Sequence, residues 1–159
     1  MPTGSGKERV NAGPGPELTS RLGYLFKHAW LRLTELTGAA LTPYGIDGRE
    51  LAVLLFVDRT EPGSQQQVAR RLGVDRTSMV TLLDGLEGKG LVARHPDADD
   101  RRKNVVELTE AGRRTLAAAT WASEEAERQF LAPLSPPADK QLREALRLLA
   151  TPPGRESKQ

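Results

Sequence analysis

Two stretches of the chain carry side chains whose type and spacing suit contact with nucleic acid rather than bond-making. The first is Asp75-Arg76-Thr77-Ser78, with Thr81 one helical turn further along. Asp75 stands where an N-cap accepts free backbone N–H groups, so Arg76, Thr77 and Ser78 fall in the opening turn of a helix. An arginine there can donate two hydrogen bonds to guanine, and hydroxyls can reach bases or phosphates. The second stretch is Asp97-Ala98-Asp99-Asp100-Arg101-Arg102-Lys103-Asn104. It would put Arg101, Arg102 and Lys103 at a loop tip, able to enter the narrow, electronegative minor groove. Asp100 could hold one of these arginines in a single rotamer, so that less entropy is lost on binding. Taken alone, each stretch also has a plainer account. The first could be a helix cap with exposed polar neighbours, and the second a solvated loop whose charges cancel.

Patterns for catalysis are missing. Thr3-Gly4-Ser5-Gly6-Lys7 departs from a phosphate-binding loop: Glu8 stands where Ser or Thr is needed, the leading glycine is absent and no strand precedes it. There is no G-x-S-x-G and no H-E-x-x-H, and His28 and His95 belong to no recognisable triad. The chain therefore reads as a non-enzyme with no catalytic residues and no cofactor. With no cysteine, disulfides, zinc fingers and thiol-based sensing are excluded. Two histidines are too few for a His-rich zinc site, though carboxylates could add ligands, and no metal is expected.

The elements that must position the two stretches follow from local patterns. Ser64 with Gln67 forms a capping box that starts a short helix to Leu72, and Gly73 ends it in the left-handed conformation. Asp75 then caps a longer helix to about Gly88, with Met79, Leu82, Leu83 and Leu86 on one face. Ala69 sits where the two helices cross. This spacing, from Gln66 to Leu86, is that of a helix-turn-helix whose second helix enters the major groove. Leu91–Arg94 and Val105–Leu108 read as two strands joined by the charged loop. A helix-turn-helix followed directly by a charged two-stranded wing is more specific than either part.

Around this centre lie longer helices. Leu18, Leu22, Leu25, Phe26, Ala29, Leu33 and Leu36 recur at three- and four-residue steps, predicting one amphipathic helix over 17–41. Thr42-Pro43-Tyr44-Gly45 breaks it. Asp47 with Glu50 caps a helix to about Asp58, with Leu51, Leu54 and Leu55 inward. Thr109 caps a helix to about Leu131, which Pro133, Pro136 and Pro137 end, and a last helix spans 138–150. The fold class is mainly α: a winged helix-turn-helix with a small β-hairpin wing and long N- and C-terminal helices. The expected organisation is a disordered arm over 1–16, an N-terminal dimerisation helix and turn over 17–46, a DNA-binding lobe over 47–109, C-terminal dimerisation helices over 110–150 and a flexible tail over 151–159.

Bulk properties fit this reading without forcing it. Hydrophobic residues make up 38% and aromatics 4%, so aliphatic side chains must fill the core. The net charge is +2, and from Ser64 to Thr109 eight basic residues face seven acidic ones. Any footprint on DNA must come from where charges are placed, not from their sum. No apolar run approaches the roughly 18 residues of a membrane span, and Met1–Pro16 lacks the apolar core of a secretory signal. A cytoplasmic location with no membrane partner is expected.

The run Asp100-Arg101-Arg102-Lys103-Asn104-Val105-Val106-Glu107-Leu108-Thr109 resembles the MarR family of winged-helix regulators. Asp100, Arg102, Val106, Leu108 and Thr109 occupy every fixed position of the family pattern D-x-R-x-x-x-V-x-L-T, and Gly112 continues its usual ending. Leu86-Glu87-Gly88-Lys89-Gly90-Leu91-Val92 matches the family's junction between recognition helix and wing. The resemblance covers about Leu22 to Leu149. It implies a homodimer joined through the terminal helices, with two recognition helices in successive major grooves of a pseudo-palindromic double-stranded operator and two wing tips in the minor groove. It makes Arg102 the wing-tip arginine and Asp100 its orienting partner. Thr81 departs from the pattern, because many relatives carry Arg or another long polar residue there. The implied function is a transcriptional regulator, a repressor more than an activator. The rival reading is a protein-interaction module on the same scaffold.

Dimerisation also has support from the residues themselves. Trp121, Phe130, Leu131, Leu142, Leu146, Leu148 and Leu149 are more apolar surface than one small lobe can cover. Folding back on the same chain is the alternative. The resemblance further implies a small aromatic or anionic effector bound between the dimerisation helices and the DNA-binding lobe. Arg21, His28, Trp30 and Tyr44 could line such a cleft: Arg21 or His28 to pair with a carboxylate or phenolate, Trp30 to stack on a ring. Each also has an ordinary role as a surface or packing residue.

Overall fold

A computed structural model describes residues 15–59, 63–64, 73–96 and 104–150, with the backbone alone for Gly63, Ser64 and Asn104. The expected short helix ending at Leu72, the wing-tip residues Asp100, Arg101, Arg102 and Lys103, most of the expected arm and the whole expected tail lie outside the described residues.

In chain order the elements are α1 (Pro16–Thr19), α2 (Leu22–Leu41), a 3-10 turn (Thr42–Tyr44), α3 (Gly48–Arg59), β1 (Gly63–Ser64), α4 (Arg76–Gly88), β2 (Val92–Pro96), β3 (Asn104–Leu108), α5 (Glu110–Leu131) and α6 (Pro136–Ala150). The single helix expected over 17–41 is in fact two, and it begins at Pro16, inside the expected arm. The Thr19 hydroxyl donates to the Pro16 carbonyl at 3.2 Å and the Ser20 hydroxyl to the Glu17 carbonyl at 3.3 Å. The Ser20 N–H still donates to the Pro16 carbonyl at 3.1 Å, but the Arg21 N–H donates to the Leu18 carbonyl at 3.0 Å in a tighter turn, and Arg21 itself is extended, φ −70° and ψ 133°. The hydrophobic steps run across this break, so periodicity hides it.

Local capping sets the other boundaries. Asp47 Oδ1 accepts from the N–H groups of Arg49 and Glu50, while Glu50 Oε2 accepts from the Asp47 N–H at 3.0 Å. This reciprocal box starts α3. Thr109 caps α5, accepting from the Gly112 N–H at 2.9 Å. The last helix starts at Pro136 rather than 138, because proline's missing N–H costs nothing in the first turn of a helix.

The sheet has three antiparallel strands in the order β1-β3-β2, one more than the hairpin expected. Ser64, expected to cap a helix, pairs with Val105, and Gly63 before it pairs with Val106. The wing ladder runs from Val92 opposite Leu108 to Pro96 opposite Asn104, so β2 extends two residues past the expected Arg94. Pro96 is tolerated because β2 is an edge strand.

One core joins these elements. Leu41, Ile46, Leu51, Val53, Leu54, Val57, Met79, Leu83, Leu86, Leu91, Val92, Val106, Leu108, Leu116 and Ala119 form a single buried cluster. The α2 helix packs along α5, and α3 bridges α5, the sheet and α4. The α6 helix has no buried residue; Arg143 ties it to Glu127 of α5 at 3.3 Å. Several large apolar side chains of the outer helices stay exposed in the single chain, among them Leu22, Trp30, Trp121, Leu148 and Leu149.

Candidate nucleic-acid interface

The α4 helix is pinned at its start, its end and along its length. Gly73 takes φ +64°, the turn conformation expected of it. Asp75 then accepts from the Ser78 N–H at 3.0 Å, and the Ser78 hydroxyl donates to the other carboxylate oxygen. These bonds to Ser78 hold the Asp75 carboxyl below its usual pKa, so the cap is charged. Met79, Leu83 and Leu86 face inward, while Arg76, Thr77, Ser78 and Thr81 are exposed on the outer side. The side chains of Arg76 and Thr77 have no hydrogen bond or ion pair among the described residues. Ser78 and Thr81 have spent their hydroxyl protons, Ser78 on Asp75 and Thr81 on the Thr77 carbonyl at 3.2 Å.

The far end is held by a pair that local pattern could not reveal. Lys89 Nζ donates to both oxygens of Glu50, at 2.6 and 2.8 Å, linking the end of α4 to the start of α3. Among the described residues Glu50 is the one buried charged side chain. Lys89→Met would leave that carboxylate without its cation. Stranding a buried partner costs roughly 3–5 kcal/mol in general. Lys89 itself is 40% exposed, which reduces the effect. We expect a loss of about 2 kcal/mol by urea unfolding, and under ~1 kcal/mol for Glu50→Gln, which leaves a neutral group in the same place. Equal stability for wild type and Lys89→Met would show that the pair does not hold the helix.

The wing is fastened to α4 by Arg94. Its guanidinium reaches Asp84 Oδ1 at 2.6 Å, and its Nε donates to Glu87 Oε2 at 2.9 Å, with a second contact from Nη2 to the same oxygen. The hydrogen bond from Arg94 holds the Glu87 carboxyl below its usual range, and the same bond raises the pKa of Arg94. One strand cation thus offsets part of the charge of two helix carboxylates that would otherwise repel a phosphate backbone more strongly.

The base of the wing meets α5 at a tight point. The Thr109 hydroxyl donates to the Gly90 carbonyl at 2.6 Å, and the Thr109 N–H donates to the Leu91 carbonyl at 3.1 Å. A Cβ at Gly112 would lie 1.9 Å from that Leu91 oxygen. The Thr109 and Gly112 positions therefore lock the chain where recognition helix, wing and long helix converge.

The four candidate effector residues are not drawn together within one chain. Arg21 is the exposed N-cap of α2 and His28 lies two turns on, exposed. Trp30, two residues beyond His28, points to a different side of the helix and is 65% exposed. Tyr44 sits in the 3-10 turn, packed against the core. Sequence reasoning missed Tyr24, whose ring stacks on His28 at a centroid distance of 4.0 Å. The four-residue spacing of the two rings on one helix was the available signal.

Comparisons with known proteins agree with this geometry. A family model described as the MarR family matches residues 44–103. The repressor NicR of Pseudomonas putida is 28% identical over 102 residues, which cover 64% of this chain and 65% of that repressor, just under two thirds of its length. Among solved structures, the transcriptional repressor CouR bound to a 23-mer DNA duplex is 33% identical, with TM-score 0.80, covering 86% of this chain and 96% of that one. CouR from Rhodococcus jostii RHA1 bound to p-coumaroyl-CoA is 29% identical, with TM-score 0.75, covering 89% and 100%. Given the match across the central lobe and the identity to a repressor it covers almost end to end, this chain belongs to the MarR family.

Proposed function

We propose that the chain is a dimeric, sequence-specific regulator of transcription that binds a pseudo-palindromic double-stranded DNA operator as a repressor. The observation that carries this is α4 itself. It is a helix anchored by Asp75, Glu50–Lys89 and Arg94, with Arg76 and Thr77 unpaired among the described residues of its exposed opening turn. Such a turn is what a helix-turn-helix offers to base edges. Relatives named as repressors, one of them solved on a DNA duplex, support the reading.

The assignment of Arg76, Thr77, Ser78 and Thr81 to the major groove, and of Arg101, Arg102 and Lys103 with Asp100 to the wing tip, belongs to this proposal. So does dimerisation through the outer helices, where exposed Leu22, Trp121, Leu148 and Leu149 need cover. No helix among the described residues is long and apolar enough to cross a membrane. Action in the cytoplasm belongs to the proposal, on the strength of the similarity to transcriptional repressors. A small aromatic or anionic effector would shift the spacing of the two recognition helices and release the operator. The support here is a relative solved with p-coumaroyl-CoA and the Tyr24–His28 ring pair on α2, with centroids 4.0 Å apart.

Selection of the purified protein against a random duplex pool tests the proposal and defines the operator. We expect a two-fold symmetric consensus with half-sites one helical turn apart. Arg76→Ala should reduce the preference for that operator over scrambled DNA about tenfold per half-site, the scale of one bidentate arginine–guanine contact, and about a hundredfold for the dimer. Equal weakening on both duplexes would remove Arg76 from base reading, and an empty selection would overturn sequence-specific binding.

A further inference from the structure

The outward face of α4 changes character along its length. Its opening turn is polar, with Arg76 and Thr77. One turn on it offers Val80 and Thr81. Val80 is 37% exposed, while the other large aliphatic side chains of the helix, Met79, Leu83 and Leu86, are buried and Leu82 packs against the core. Thr81 has its hydroxyl proton committed to the Thr77 carbonyl at 3.2 Å. Beyond these, Asp84 is engaged by Arg94 at 2.6 Å. The middle of the helix thus presents two β-branched side chains, with no donor to spare and a neighbouring carboxylate already paired with a cation.

The major groove contains one apolar group, the C5 methyl of thymine; the other groove features of the four base pairs are hydrogen-bond donors and acceptors. We infer that Val80 is a specificity-determining residue that reads a thymine methyl in each operator half-site. The inference rests on the DNA-binding reading above and goes further, naming the atom read and the residue that reads it. It also explains how this helix can carry Thr81 in place of a long polar side chain. Discrimination at the central position comes from methyl contact, and the polar reading is left to Arg76 and Thr77.

Replacing thymine with deoxyuridine removes only that methyl and keeps base pairing. The operator recovered by selection is prepared with each thymine of a half-site replaced in turn, and binding is measured for wild type and Val80→Ala. The Val80 side chain lies on an exposed helix face, so the variant is expected to fold; Val80→Thr, which keeps the β-branched shape, is the second variant. We expect one thymine per half-site whose replacement weakens wild-type binding about fourfold, the change for one buried methyl group, and about fifteenfold when both half-sites are changed. Val80→Ala should bind the thymine and uracil duplexes equally, and Val80→Thr should keep part of the difference. If no thymine matters to the wild type, or if the loss persists undiminished in Val80→Ala, the assignment to Val80 is wrong while the DNA-binding reading stands. If the wild type binds no duplex at all, both fall together.

Discussion

Gly112→Ala should lower the melting temperature by roughly 10 °C, following a net loss of about 3 kcal/mol for a chain of this size. Gly112 lies in the first turn of α5, and its added Cβ would sit 1.9 Å from the Leu91 carbonyl oxygen. The obstacle is backbone, so a change of rotamer cannot relieve it. Either Leu91 or the start of α5 must move, and both are tied. Thr109 bonds to the Gly90 and Leu91 carbonyls, and its hydroxyl also accepts from the Gly112 N–H. Overpacking of this kind costs about 1–3 kcal/mol, each hydrogen bond lost adds about 1 kcal/mol, and alanine's better helix propensity returns at most about 1 kcal/mol. Gly88→Ala is the control, because nothing lies within 4 Å of the Cβ it would add. It should leave the melting temperature unchanged or slightly raised. A Gly112→Ala protein as stable as wild type would mean that the wing base and α5 do not meet as described.

Arg102→Ala should weaken binding to every duplex, matched or scrambled. Arg102 lies outside the described residues, but the strands that carry its loop are described up to the pair Pro96–Asn104. Arg94 anchors that hairpin to α4, so the wing's direction relative to the recognition helix is set. A charge-assisted contact is worth about 1.5 kcal/mol, hence roughly tenfold per wing and about a hundredfold for a dimer with two wings. The slope of log affinity against log salt should become shallower by about one per wing. Arg102→Lys should restore the salt slope but not the full affinity, since lysine keeps the charge and loses the planar fork. Affinity unchanged in Arg102→Ala would remove the wing tip from the interface.

What was legible in the sequence and what was not divides by the distance between partners. Asp47 with Glu50, Asp75 with Ser78, and Thr109 with Gly112 are contacts three residues apart, so capping chemistry marks the start of each helix directly. Gly73 at its turn was equally plain, because a left-handed residue beside a cap has few alternatives. The β1 strand was invisible: it is two residues long, and its partners Val105 and Val106 lie some forty residues away. The Lys89–Glu50 pair spans 39 residues for the same reason. The break at Ser20 and Arg21 failed differently, since the apolar spacing continues through it and no proline falls between α1 and α2 to mark it. At the interface, the polar opening of α4 was readable by residue type. Val80 was not, because an aliphatic residue on a helix announces nothing until its exposure is known.

The α4 face and the wing together are proposed to bind DNA sequence-specifically. The most direct test of this binding is a fluorescence-anisotropy titration of the full chain against the selected operator and a scrambled duplex, at low and near-physiological salt. Tight binding to the operator, much weaker binding to the scramble and a steep fall of both affinities as salt rises are expected. Operator and scramble bound equally weakly at both salt concentrations would contradict sequence-specific binding, and would favour a protein-interaction module built on the same winged-helix scaffold.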